Sequence, residues 1–271
     1  MVKKLLKHEF IYYFRTFALF LPIVLVIGVM ARVFRLFESF DSVLVDIALF
    51  SSFLMLFVAC AALIMLSVVV SVVRFYKNMY SAEGYLTFTL PVSNAQHIFV
   101  KLLTAICCQA ICLLTVVISA TIALMGEPLK KLVLAIAAGF SEFCEEIGPV
   151  NYIAFIFDVI VIVLLSVAGN MLLYYACITV GQMAKKNRIL MAVGAYFVYY
   201  VATQVISTVF VMIFTILGMS GAFDGIVMWL DDHMILTMHL TMGVSIVIYA
   251  AMAVAFWYVT QWIMTKKLNL E

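Results

Sequence analysis

Long stretches of this chain carry no charged residue at all, among them 47–73, 102–126, 159–184 and 189–223. Apolar runs of about 20 residues or more are long enough to cross the hydrocarbon of a bilayer. A first run at 17–34 and a last at 240–265 bring the expected spans to six. Lipid offers the backbone no hydrogen-bond partners, so only helices or closed barrels cross it. The runs lack period-2 alternation and exceed the length of a barrel strand, so they read as helices. Charged residues make up 11% of the chain and mean hydropathy is +1.22, against about 25% charged in a soluble domain. The expected architecture is all-α: a polytopic membrane protein forming one transmembrane domain over 1–271, with six transmembrane helices and both termini cytoplasmic.

The orientation follows from where the cations fall. Segments 1–16, 74–101, 182–188 and 265–271 hold twelve of the sixteen Lys and Arg residues. The positive-inside rule places these segments in the cytoplasm. The opposite side keeps Arg32, Arg35, Lys130 and Lys131, with the two arginines expected to snorkel to outer headgroups. An outer loop is then expected at 127–151. The N-terminus does not read as a cleaved signal peptide, because its apolar region is long and no small-residue cleavage site follows. Residues 3–15, KKLLKHEFIYYFR, place Lys3, Lys4, Lys7, His8 and Arg15 on one arc and Leu5, Leu6 and Tyr13 opposite. That pattern suits an interfacial helix over 1–16, or simply a positively charged flank.

Familiar catalytic and metal-binding patterns are missing. Five of the six cysteines fall inside spans and Cys144 stands alone in an outer loop, so no disulfide framework is expected. The cluster Cys107, Cys108 and Cys112 sits on an apolar helix that offers no help in forming thiolates, so packing is the preferred reading over metal. The chain has no GxxxxGK[ST] and no HExxH. His233 and His239 read as a polar cluster at the outer interface, with Asp231 and Asp232 as the acids near them in sequence.

The connection between the second and third spans is unusually rich. It contains YSAEGYLTFTLPVS over 80–93. Ser93 and Gln96 form the S-x-x-Q pattern of a capping box before an apolar run, and Pro91 blocks backward extension of that helix. Ser81 suits a cap and Gly84 a break or a close backbone approach. Tyr76, Tyr80, Tyr85 and Phe88 supply amphipathic rings for the headgroup level or for a protein contact. Glu83 is the one acid between Asp46 and Glu127, flanked by Arg74, Lys77 and Lys101. A plain connection needs only a few residues, so the segment reads as a small docking element, or as a surface loop anchored by aromatics.

The stretch RFYKNMYSAEGYLTFTLPVSNAQHIFVKLL, residues 74–103, resembles the first cytoplasmic loop of ABC transporter permeases of the type 2, exporter-like class. The similarity is greatest to the small six-span permeases of Firmicutes that work with a separate ATPase subunit. The resemblance rests on EGYL-x-FTLPVS; elsewhere the chain matches only in hydropathy. It implies a multi-pass protein of the bacterial cytoplasmic (plasma) membrane, dimerised with a second permease copy, a homodimer in preference to a heterodimer. Each copy would dock a nucleotide-binding ATPase subunit through a coupling helix within 76–90, centred on Glu83 and Gly84 and flanked by Tyr76, Tyr80 and Tyr85. A second contact is implied at 182–188, QMAKKNR, with Lys185 and Lys186. No cofactor is expected on this chain; ATP and Mg would belong to the partner subunit, so the chain itself would not be an enzyme. The family also implies a short re-entrant element before the last span, which fits 218–234. Importer permeases carry a longer pattern, with Gly well upstream of I-x-L-P, whereas Gly84 lies six residues before Leu90. Export or lateral extrusion is therefore preferred.

Polar residues inside spans are the candidates for a substrate path: Asp158, Asn170 and Gln204, with Tyr196 and Tyr200 on the aromatic run. Asp158 equally suits access to outer headgroups, and Asn170 and Gln204 suit hydrogen bonds between helices. An amphipathic peptide, antibiotic or lipid fits such a lining, and nothing points to nucleic acid. The alternative is a membrane-embedded sensor, immunity or assembly protein that moves nothing.

Overall fold

A computed structural model of the chain describes residues 2–38, 42–81, 84, 92–184, 186–221 and 223–266. Among the described residues the helices are α1 (Val2–Phe17), α2 (Phe20–Leu36), α3 (Val43–Tyr80), α4 (Asn94–Leu124), α5 (Glu127–Ile147), α6 (Pro149–Gly181), α7 (Arg188–Met219), α8 (Asp224–Asp232) and α9 (Met234–Lys266), with no strand. Six spans are long and apolar enough to cross a membrane: α1 and α2 taken together, α3, α4, α6, α7 and α9. The protein is thus an all-α, multi-pass membrane protein. The structure divides into two compact units, 1–142 and 143–271.

In the first unit, α2 packs between α3 and α4, and α1 packs on α4. The break between α1 and α2 follows from Pro22. Its ring has no N–H to give the carbonyl of Ala18 and crowds that carbonyl, so the helix loosens at Ala18 and Leu19. Small residues let α2 and α4 approach closely. A Cβ added at Gly28 would stand 2.5 Å from Ser119 Oγ and 2.8 Å from the Ser119 carbonyl oxygen. Ser119 Oγ donates to the Val24 carbonyl at 2.9 Å, and Ala31 and Ala123 are fully buried nearby. Close backbone approach of this kind, with hydroxyl hydrogen bonds, is how helices associate where lipid removes the hydrophobic drive. Arg35 donates to the Ala123 carbonyl at 3.5 Å and lies over the Phe53 ring.

Helix α3 has 38 residues, about 57 Å at 1.5 Å per residue, nearly twice the roughly 30 Å hydrocarbon thickness. The connection expected over 74–101 is therefore not one loop. Arg74, Tyr76, Lys77 and Tyr80 lie on the last turns of α3. Helix α4 begins at Asn94, and Ser93 and Gln96 close the expected capping box: Gln96 N–H donates to Ser93 Oγ at 3.4 Å and Ser93 N–H to Gln96 Oε1 at 3.2 Å.

In the second unit, α6 packs on α9 and on α7. Its buried residues are confined to its second half, from Gly169 to Gly181, and those of α9 are Thr260, Ile263 and Met264. Gly181 allows the α6–α7 turn: an added Cβ would stand 2.6 Å from Ala192 Cβ and 2.7 Å from the Arg188 carbonyl oxygen. Helix α7 ends at Met219, just past Gly218. Gly221 takes φ of +72°, a value open to glycine at no steric cost, and the nine-residue helix α8 occupies most of 218–234.

Candidate functional site at the ends of α1, α3 and α4

The most concentrated polar chemistry lies where α1 meets the end of α3 and the start of α4. Glu9 of α1 is only 3% exposed. Its carboxylate accepts from three side chains: Lys101 Nζ at 3.0 Å on Oε1, Asn78 Nδ2 at 2.8 Å on Oε1, and Arg74 Nε at 3.2 Å on Oε2. Arg74 also stacks its guanidinium 3.9 Å from the centroid of the Tyr12 ring. Lys101 is 4% exposed, so both members of the pair have left water. Such a pair is retained only when hydrogen bonds satisfy the remaining lone pairs, which Asn78 and Arg74 provide.

The same register continues below the cluster. Tyr13 and Phe17, one and two turns after Glu9, are buried with Cys108 and Cys112 and with Leu63 of α3. Glu9 meets Lys101, Phe17 lies with Cys112, and Val24 meets Ser119. The segment expected to lie along the inner surface thus runs alongside α4, in the same direction. Cys107, Cys108 and Cys112 are free thiols, as are the other cysteines, and Cys108 and Cys112 face Tyr13 and Phe17 as packing residues.

Of the expected coupling residues, Tyr76 and Tyr80 sit together on α3, with ring centroids 6.5 Å apart. Tyr80 also meets Phe75 edge to face at 5.9 Å. Gly84 N–H donates to the Ser81 carbonyl at 2.7 Å. A Cβ at Gly84 would stand 2.7 Å from the Met79 carbonyl oxygen, so only glycine fits against the end of α3. Glu83, Tyr85 and Lys185 lie outside the described residues. Lys186 is exposed beside Asn187, whose left-handed φ of 55° begins α7. Within the cluster, Asn78 Oδ1 and both ring nitrogens of His97 are buried without a hydrogen-bond partner among the described residues.

The candidate path residues are not gathered into one site. Asp158 pairs with His239, Nδ1 lying 3.2 Å from Oδ2. His239 therefore has its acid on α6, not among Asp231 and Asp232, because helix packing sets its neighbours. Tyr196 pairs with Tyr174 at 5.7 Å. Asn170, Tyr200 and Gln204 are exposed on the chain, and neither amide bonds across helices among the described residues.

The functional residue that sequence reading passed over is Glu9. A signal was present: it is the only acid before Glu38, and on a helical wheel it falls on the apolar face of α1, opposite the lysines. No family model, curated protein or solved structure matches this chain.

Proposed function

We propose that this chain is the membrane-spanning permease subunit of an exporter-type ABC transporter of the bacterial cytoplasmic membrane. It would work as a dimer, moving or extruding an amphipathic substrate with energy from ATP hydrolysed on a separate subunit. The observation that supports this reading best is how Gly84 and Ser93 are held. Gly84 is held by its tight packing on the Met79 carbonyl and Ser93 by its capping box. Glu9 ties together the helices on both sides, α3 and α4, and joins them to α1. A push on helices so tied would move the three together, which is what an external motor requires of a two-state transporter. Sequence adds the resemblance of 74–103 to the coupling loop of such permeases.

The test is copurification with a candidate nucleotide-binding ATPase subunit. Glu83→Lys is expected to leave the spans inserted and to weaken ATPase binding. Loss of one charge-assisted contact costs about 1.5–3 kcal/mol, or roughly tenfold or more in affinity. If Glu83→Lys binds the ATPase and couples transport as the parent does, the segment is a tether. A chain that purifies without any nucleotide-binding partner favours a sensor, immunity or assembly role.

A further inference from the structure

One groove in the first unit lies beside an ordered row of cations. It holds about 340 Å³ between α1, the start of α2 and α4, and its walls include Phe10, Phe14, Phe17, Leu21, Ile111 and Cys112. That volume lies within the range of small-molecule sites. The lining is almost wholly apolar, and Phe14 is 77% exposed along it. Exposure alone is expected of a helix that faces lipid. What distinguishes this groove is the charge laid out along the same helix.

Lys3 and Lys7 are four residues apart and share one face of α1. Phe10 and Phe14 follow Lys7 at three and seven residues, so they continue that stripe. Lys7 therefore precedes Phe14 by about 10 Å along the axis. Lys3, Lys4 and Lys7 are exposed, whereas the one acid of α1, Glu9, is turned to the opposite side and buried. Cationic groups at one end and an apolar trough at the other match a molecule with an anionic head and a hydrocarbon tail.

We infer that this groove binds an anionic phospholipid, with its acyl chain between Phe14 and Ile111 and its phosphate held by Lys3 and Lys7. The bound chain lies against the same helix that carries Glu9, so its occupancy steadies α1 on α4. This site is independent of the transport reading and stands whether or not an ATPase binds.

The full chain, purified from nanodiscs of phosphatidylcholine doped with phosphatidylglycerol, is assayed by native mass spectrometry for retained lipid. A phosphatidylglycerol carrying a photoreactive acyl chain then locates the tail. The expected result is preferential retention of phosphatidylglycerol, with cross-links on peptides containing Phe14 and Ile111. Basic side chains near an anionic surface contribute enough that Lys3→Gln with Lys7→Gln is expected to lower the preference by about thirtyfold. Phe14→Ala is expected to weaken retention of both lipids without changing their ratio. All three positions are outside the core, and circular dichroism checks that each variant remains folded. Equal retention of the two lipids by the parent chain overturns the inference, as does an unchanged preference after loss of both lysines. Cross-links confined to other peptides, or a groove filled by a second copy of the chain with no lipid, overturn it too.

Discussion

Replacing Glu9 by Gln keeps the size of the side chain and removes its charge from the centre of the α1–α3–α4 cluster. Two unit charges 3.0 Å apart attract by about 5 kcal/mol at an effective dielectric constant of about 20. Arg74, at 3.2 Å with a side chain 18% exposed, adds a second attraction that solvent screens more. The desolvation cost of the charges offsets part of both. Breaking one partner out of a buried pair costs about 3–5 kcal/mol, and a Gln retains one acceptor, so about 3 kcal/mol is expected. Reversible unfolding in mixed detergent micelles, followed by circular dichroism, measures this. Because the pair is buried, the loss should persist at high salt, unlike that of a surface ion pair. Lys101→Met in the Glu9→Gln background should then cost less than it does alone, by about 1 kcal/mol or more, since neighbours in one network do not add. A Glu9→Gln chain as stable as the parent, or strict additivity with Lys101→Met, would refute the view that this cluster holds the three helices.

Gly28→Ile should separate α2 from α4, costing about 1–3 kcal/mol by overpacking. Ser119→Ala should not rescue it, because the backbone carbonyl of Ser119 remains 2.8 Å from the new Cβ; detergent unfolding of the single and double variants decides. Gly84→Val should displace segment 81–93 from the end of α3 and lower ATPase copurification about tenfold while membrane insertion is unchanged. Gly139→Ala, whose Cβ meets nothing within 4 Å, should behave as the parent in the same pull-down. Single cysteines at Ser81 and Lys186 should react with impermeant reagents only from the cytoplasm, and those at Glu142 and Asp232 only from outside, as the cation distribution requires. Labelling of Ser81 from outside intact cells would rule out docking of an ATPase there.

Some of this protein is legible in the chain by itself. Apolar runs about as long as the bilayer is thick point to six spans, because an unpaired backbone group has no alternative in lipid. The start of α4 follows from Ser93 and Gln96, which lie three residues apart and form their cap locally. The need for glycine at position 84 is also local, since the clash is with Met79 only five residues earlier. Other features had no local signature. The connection over 74–101 looks like a loop because it carries charge, yet most of it is the continuation of α3 and α4. Glu83 drew notice in sequence because cations flank it in the chain, while Glu9 has its cations at Arg74 and Lys101, 65 and 92 residues away. Likewise His239 sits near Asp231 and Asp232 in sequence but meets Asp158, 81 residues earlier. Hydropathy and capping depend on neighbours along one helix, and these the sequence by itself determined. Which carboxylate meets which cation depends on the register and choice of neighbouring helices, and only the tertiary structure decided that, through contacts as close as Gly28 against Ser119.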